Sequence, residues 1–483
     1  MTNVADAPPA GRGSTKSPAP AWSIVGLVCL AQFMMVLDVS IVNVALPAME
    51  SDLRLGAEGL QWVVNGYILT FAGFLLLGGR AADLYGRRRT FVAGLAVFAI
   101  ASLAGGLATT PWLLIAARAI QGLGAAVVAP ATLTILTTAI PAGPARAKAI
   151  ATWGAVGAAG GAAGSLVGGL LTDYLSWRWI LLINAPIGTV AIIAALRLLA
   201  ESRDLGTRGL DLTGAITVTV GLSALEFGVL QTPAYGWGAA RALIPMGVGV
   251  LALAVFVLVQ ARFARAPLMP LRVFRARSVS GALLVQFLLG AAGFAVWYFL
   301  SLYMQQVLYY SALQAGLAFL PHTLAIIVAS KATPWLAGRV GLRPLLATGA
   351  LISAAGFAWQ ATITPDSGLL TGIVLPGVLI TGGMGLTSAP IAMAATAGIG
   401  PGEAGLVSGV LNSSRQIGGS LGLAALTTLA ASHASAQTSG YSLAFGACAG
   451  VVAAGAVAVL VLPKTPKRRD LTRAVVIDEV KAA

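Results

Sequence analysis

Two side chains of opposite charge interrupt apolar runs in the first half of the chain: Asp38, within Leu37-Asp38-Val39-Ser40, and Arg118, within Ala117-Arg118-Ala119-Ile120. A carboxylate in hydrocarbon costs roughly 2.5 to 3.5 kcal/mol on insertion scales, and burial favours its neutral form. Asp38 is therefore expected to load a proton from one side and lose it to the other. The alternative is a carboxylate that hydrogen-bonds a helix break ahead of Pro47. Arginine cannot shed its charge, so Arg118 needs a wet cavity or a partner. Close to a carboxylate it would weaken proton binding there, and a helix movement would alter that effect. The alternative is an anchor on backbone carbonyls. Glu226 is a second candidate proton site. Arg415, in Asn412-Ser413-Ser414-Arg415-Gln416, either faces a central cavity or holds the inner ends of two halves together.

Such groups need elements that carry them to membrane depth. Of 483 residues, 58% are hydrophobic and 10% charged. That is too apolar for one water-soluble core, and the long apolar runs exclude a disordered chain. Stretches of about 20 apolar residues, enough to cross the hydrocarbon as a helix, occupy 22–46, 60–79, 91–108, 112–137, 149–171, 179–199, 211–231, 241–260, 279–304, 312–332, 343–362, 369–396, 404–430 and 441–463, fourteen in all. An all-α, polytopic membrane protein is expected. With the N-terminus inside, 25 of the 30 Lys and Arg fall in cytoplasmic segments, and only Arg54, Arg178 and Arg241 fall outside. This is the positive-inside pattern, so both termini are expected in the cytoplasm. The net charge of +14 then belongs to the inner membrane surface and not to nucleic acid. Residues 1–20 and 464–483 read as cytoplasmic tails.

Other chemistries find little support. Cys29 and Cys448 make neither a disulfide framework nor a zinc-spaced cluster. No phosphate-cradling G-x-x-x-x-G-K-[ST] loop is present. His322 and His433 stand alone near span ends and read as solvated surface residues. Neither a catalytic constellation, nor a metal site, nor a cofactor is expected.

The loop after the second span, Gly79-Arg80-Ala81-Ala82-Asp83-Leu84-Tyr85-Gly86-Arg87-Arg88-Arg89, has a shorter echo in Gly338-Arg339-Val340-Gly341-Leu342-Arg343, where Gly86 aligns with Gly341 and Arg88 with Arg343. Duplicated halves are expected of rocking transporters with a site between two bundles. Asp83, Arg87 and Arg88, at inner helix ends, are expected to pair between halves in one state and part in the other, gating with Gly79 and Gly86. Their alternative role is a positive-inside anchor. Gly157, Gly160, Gly161, Gly164 and Gly168 give G-x-x-x-G spacings for close helix approach. Gln61 and Asn65 are one turn apart on the second span, and Met34 and Met35 share the Asp38 side of the first. With Phe294, Trp297 and Tyr298 they are substrate candidates, although most such aromatics face lipid or other helices.

The loop 79–89 resembles the motif between helices two and three of the major facilitator superfamily. Leu37-Asp38-Val39-Ser40-Ile41-Val42-Asn43-Val44-Ala45-Leu46-Pro47 resembles the first-helix motif of its drug:proton antiporters, and Arg118-Ala119-Ile120-Gln121-Gly122-Leu123-Gly124 their fourth-helix motif. Gln61-Trp62-Val63-Val64-Asn65-Gly66-Tyr67, Trp177-Arg178-Trp179-Ile180, Asn184-Ala185-Pro186-Ile187-Gly188 and Gln314-Ala315-Gly316-Leu317 add further similarity. Two departures stand out. Ser165 replaces the proline of the fifth-helix motif in Gly160-Gly161-Ala162-Ala163-Gly164-Ser165-Leu166-Val167-Gly168-Gly169, and Leu84 replaces a basic residue after Asp83. That proline is associated with export, and the basic residue with the cytoplasmic gate.

The resemblance implies two six-helix bundles, 21–200 and 279–463, joined by two additional helices within 201–278. Those two helices would be peripheral, which weighs against a central role for Glu226. It implies a proton-coupled antiporter of the cytoplasmic membrane that exports drug-like or antibiotic small molecules, hydrophobic or cationic, by alternating access and as a monomer. Asp38 and Arg118 would couple protons; from the residues themselves, Met34, Gln61, Asn65, Gln121 and Arg415 are the candidates to meet substrate. An uptake symporter of the same fold and a non-transporting scaffold or receptor are the alternatives.

Overall fold

Backbone polar groups in hydrocarbon must be satisfied within their own segment, which an apolar helix does. The computed structural model describes residues 21–141, 144–202, 209–264, 267–269, 271–396, 404–432 and 438–462, and these contain no strand. The chain runs through α1 (Ala21–Leu53), α2 (Gly56–Tyr85), α3 (Arg87–Gly106), α4 (Pro111–Ala139), α5 (Pro144–Tyr174), α6 (Trp179–Leu182), α7 (Asn184–Leu198), α8 (Leu212–Leu230), α9 (Thr232–Tyr235) and α10 (Ala240–Leu258). It continues with α11 (Arg277–Leu302), α12 (Ala312–Ala318), α13 (Leu320–Val340), α14 (Leu342–Gln360), α15 (Leu375–Thr396), α16 (Ala404–Ser432) and α17 (Ser439–Ala458). Short α6 and α7 form one span, as do α12 and α13. Thirteen helices among the described residues are long and apolar enough to cross a membrane. The remaining expected span is α16, which is 29 residues long but carries the polar run Asn412 to Gln416 at mid-length. The tails 1–20 and 464–483 lie outside the described residues.

One pairing scheme occurs twice. In the first set α1 packs on α5, α2 on α4 and α3 on α4; in the second α11 packs on α16, α13 on α15 and α14 on α15. The aligned glycines share a backbone conformation, Gly86 with φ 106° and ψ 135° and Gly341 with φ 89° and ψ 163°. These values lie in a region that favours glycine. The aligned arginines do the same work. Arg88 Nη1 donates to the Leu199 carbonyl just past α7 at 3.3 Å, and Arg343 Nη2 donates to the Leu460 carbonyl just past α17.

The two sets meet along a seam, which hydrogen bonds close at the face opposite the chain ends. There Ser301 Oγ donates to the Asn43 carbonyl (2.7 Å), Gln305 Nε2 to the Val44 carbonyl (2.9 Å) and Gln306 Nε2 to Glu50 (3.0 Å). Asp173, at the end of α5, accepts from the backbone N–H groups of Ala312 (3.1 Å) and Leu313 (2.9 Å), the first turn of α12. Small residues make this approach possible. A Cβ added at Gly169 would lie 2.5 Å from Leu313 Cα, and one at Gly316 would lie 2.3 Å from the Ser165 carbonyl oxygen. Gly160, Gly164 and Gly168 instead press α5 onto α1, where added Cβ atoms would come 2.9, 2.9 and 3.0 Å from the carbonyl oxygens of Phe33, Leu37 and Ile41.

His322 departs from the surface position expected for it. It is buried, and its Nε2 lies 3.1 Å from the Ile373 carbonyl, in a π-helical stretch (Leu369–Val374) that leads into α15. Gly377 makes room for the ring: a Cβ there would overlap His322 Nε2. His433 lies outside the described residues.

Candidate functional site

Asp38, at mid-length in α1, is fully buried, and Arg118 of α4 is 2% exposed. They meet directly, with Arg118 Nη1 2.7 Å from Asp38 Oδ2. Neither group stands alone in hydrocarbon, so each offsets the desolvation cost of the other. Around this pair the neighbouring helices supply neutral donors. Gln121 Nε2 donates to Asp38 Oδ1 at 2.7 Å, and Asn184 Nδ2 donates to the same oxygen at 2.8 Å. Gln121 sits one turn after Arg118 on α4 and also accepts from its Nη1 at 2.7 Å. Ser102 of α3 accepts from Gln121 (3.1 Å) and Asn184 (3.0 Å), and donates to the Leu181 carbonyl (2.8 Å).

Arg118 is held twice more. Its Nε donates to the Val63 carbonyl of α2 at 3.2 Å, and its guanidinium carbon lies 4.6 Å above the centre of the Tyr67 ring. Both readings of Arg118 thus coexist in one residue, which has a carboxylate partner and a backbone anchor. The arrangement is that of a carboxyl group with two neutral side-chain donors and a matching cation, shared among α1, α3, α4 and α7, with α2 bracing the arginine. A proton added to Asp38 would remove the charge that holds Arg118 Nη1.

Ser102 and Asn184 were not among the residues singled out for a site. Asn184 lies in the quoted stretch Asn184-Ala185-Pro186-Ile187-Gly188, but its role depends on a partner 146 positions away. Ser102 gave no signal beyond being a small polar residue in an apolar span. Gln121 was expected to meet substrate; its side-chain amide is engaged within the charge cluster on both atoms. Met34 is fully buried in the core. Gln61 and Asn65 are buried on α2, and Arg415 is exposed and bonds Asn412 at 3.2 Å. These residues are not brought into the Asp38 cluster.

Among the described residues, Asp83, Arg87 and Arg88 do not pair between halves. Arg87 pairs with Asp83 at 3.4 Å on the same turn region. Glu201, a residue that sequence reasoning passed over, accepts from the backbone N–H groups of Arg88 (3.2 Å) and Arg89 (3.3 Å) and approaches the Arg89 side chain to 3.6 Å. A carboxylate at a helix N-terminus is a favourable arrangement, and here it ties the start of α3 to the segment after α7. A Cβ at Gly86 would lie 2.3 Å from Glu201 Oε1, and Gly79 rests against Pro130 of α4. Among the described residues, the acidic groups that Arg87, Arg88 and Arg89 meet are Asp83 and Glu201, both in the first half of the chain, and this local pairing is the physical reason for the departure.

Comparison with known proteins bears on the whole chain. Residues 28–423 match the family model described as Major Facilitator Superfamily. The chain is 48% identical over 470 residues to the cephamycin export protein CmcT of Amycolatopsis lactamdurans, covering 96% of each. It is 40% identical over 412 residues to the puromycin resistance protein pur8 of Streptomyces alboniger, covering 84% of this chain and 81% of that one. Among solved structures, the POT family transporter PepTSo superimposes with a TM-score of 0.66 at 13% identity, over 92% of this chain and 98% of the other. The last likeness is one of fold.

Proposed function

Because the chain belongs to the Major Facilitator Superfamily, and is thus a multi-pass membrane transporter, we propose that it exports antibiotic-like small molecules across the cytoplasmic membrane in exchange for protons. Relatives named for cephamycin export and puromycin resistance support the substrate class. The single observation that carries proton coupling is the buried Asp38–Arg118 pair. With both termini in the cytoplasm, as the charge distribution favours, the face closed by Ser301, Gln305, Gln306 and Asp173 is the outer one.

In this reading the ion pair is the resting arrangement. Once the outer face has opened, a proton reaching Asp38 from outside neutralises it, and Arg118 keeps Val63 and Tyr67 but loses its counter-charge. Removing one partner of a buried pair costs about 3 to 5 kcal/mol, enough to shift α1 against α4 and so change which side is open. The drive is of matching size. One proton carries about 2.3 kcal/mol per 100 mV of potential, and each tenfold concentration ratio adds about 1.4 kcal/mol. Gln121, Asn184 and Ser102 keep the carboxyl oriented and give the displaced charge neutral partners.

The test is expression in an efflux-deficient bacterial host, challenged with a panel that includes puromycin and a cephamycin. The intact protein should raise the tolerated concentration of at least one compound, and Asp38→Asn should abolish the protection at equal membrane abundance. Absence of protection across the panel, or full protection by Asp38→Asn, would overturn the proposal.

A further inference from the structure

A second acidic group is enclosed within the protein, away from Asp38. Glu226 of α8 is fully buried, although α8 belongs to the helix pair that the family resemblance placed at the periphery. One face of α8 does meet its companion α10: a Cβ at Gly228 would lie 2.7 Å from the Ala242 carbonyl oxygen. The other face lies against both sets of helices at once. Thr219 is so close to α2 that a Cβ at Gly73 would overlap its Oγ1, the Trp62 and Phe227 ring centres are 6.4 Å apart, and Thr428 Oγ1 of α16 donates to the Val229 carbonyl at 3.4 Å. Glu226 thus sits in the seam itself, between α2 of the first set and α16 of the second.

Its partners leave an imbalance. Ser420 Oγ of α16 donates to Glu226 Oε2 at 2.5 Å, while Oε1 has no protein partner. Beside it lies the Asn65 side chain, buried, with neither its oxygen nor its nitrogen bonded, and one turn back on α2 the Gln61 Oε1 is likewise buried and unbonded. Cations on the helices packed against α8 are committed elsewhere or distant. Arg415 bonds Asn412, and Arg241 lies over the Tyr235 ring. Arg80, with Asp83 and Tyr85, is at least fifteen residues beyond Asn65 on α2, about 22 Å at 1.5 Å per residue. Arg262 lies beyond α10, in the π-helical stretch Val259–Phe263, and Asp211 caps the other end of α8 by accepting from the Gly214 N–H. Of the remaining titratable groups, Glu58 accepts from Gln231 and Tyr67 faces Arg118.

A buried carboxylate with no cation is costly unless it is neutral. A proton on Oε1 removes the uncompensated charge and leaves the Ser420 hydroxyl bonded to the other oxygen. We propose that Glu226 is a second proton-binding site, lodged in the seam between the two sets of helices and exchanging its proton with water when α2 and α16 part. Ser420 and Asn65 are positioning residues for it. The site lies beyond the Asp38 cluster and does not depend on which compound is exported.

Infrared difference spectroscopy on the purified protein in lipid tests this without any transported compound, so the outcome is independent of the export assay. At neutral pH the wild-type spectrum minus that of Glu226→Gln should contain the C=O stretching band of a protonated carboxyl group. The band should shift on transfer to D2O and disappear at alkaline pH. Ser420→Ala, which removes the donor to the ionised form, should keep the band to a higher pH than wild type, and this variant serves if Glu226→Gln fails to fold. A difference spectrum with ionised carboxylate bands at neutral pH overturns the proposal. So does a protonated band that never exchanges in D2O, since that describes a sealed structural acid.

Discussion

The closed face of the seam rests on two glycines whose neighbours are backbone, which makes Gly169→Ala a demanding perturbation. The new Cβ would lie 2.5 Å from Leu313 Cα and 2.7 Å from the Ala312 carbonyl oxygen. Neither atom belongs to a flexible side chain, so relief requires α5 to move away from α12. Overpacking of this kind costs about 1 to 3 kcal/mol, and the cost falls only on the conformation in which the two helices touch. The open arrangement of this face should therefore gain about 5- to 150-fold in relative population. Gly161→Ala is the control on the same helix, because its Cβ would have only Val36 Cγ1 at 3.8 Å nearby. Spin labels at Ser51 and Tyr309, exposed on opposite sides of that face, report the separation by double electron-electron resonance, in a background where the buried Cys29 and Cys448 are replaced by alanine. Gly169→Ala should move the distribution to longer distances and Gly161→Ala should leave it unchanged. An unchanged distribution for a folded Gly169→Ala protein would refute the reasoning that this contact sets the balance of states.

Two further outcomes follow from the same contacts. Gly86→Ala should destabilise the protein more than Gly341→Ala when thermal unfolding is followed in one detergent. Both place a side chain at positive φ, for about 1 to 2 kcal/mol, but only Gly86 also meets a carboxylate, Glu201, whereas a Cβ at Gly341 has merely Pro344 Cδ at 3.9 Å. Glu201→Gln should lose about 0.3 to 1 kcal/mol of helix-terminus electrostatics, seen as a lower unfolding temperature whose difference from wild type shrinks as salt is raised.

Much of the fold was legible because the membrane imposes a crude rule that a single sequence obeys: apolar length gives spans. The Gly86 and Gly341 match was legible for a related reason, since a positive φ leaves few residue types to choose from. Span α16 shows where the rule thins. Its polar run at 412–416 lowers its apolarity, yet the helix is kept because it packs between α11, α2 and α8. The site was half legible. Asp38 and Arg118 stood out as charges in apolar surroundings, but no local pattern pairs residues 80 positions apart, and Ser102 and Asn184 are recognisable only after the helices assemble. His322 was misread for the same reason: its burial depends on a glycine 55 positions later. Glu226 stood as a second candidate, with family likeness weighing against a central place for α8, whereas the side-chain chemistry of Thr219, Glu226 and Ser420 ties that helix into the seam.

Proton coupling through Asp38 is tested most directly by substrate-induced proton movement in proteoliposomes. A pH-sensitive dye is trapped inside, and the compound identified by the resistance panel is added on the side from which it is bound. Wild-type protein should acidify or alkalinise the lumen in the sense opposite to compound flow, while Asp38→Asn binds the compound with no proton signal. Proton counter-flow of wild-type size in Asp38→Asn would contradict the role assigned to the Asp38–Arg118 pair.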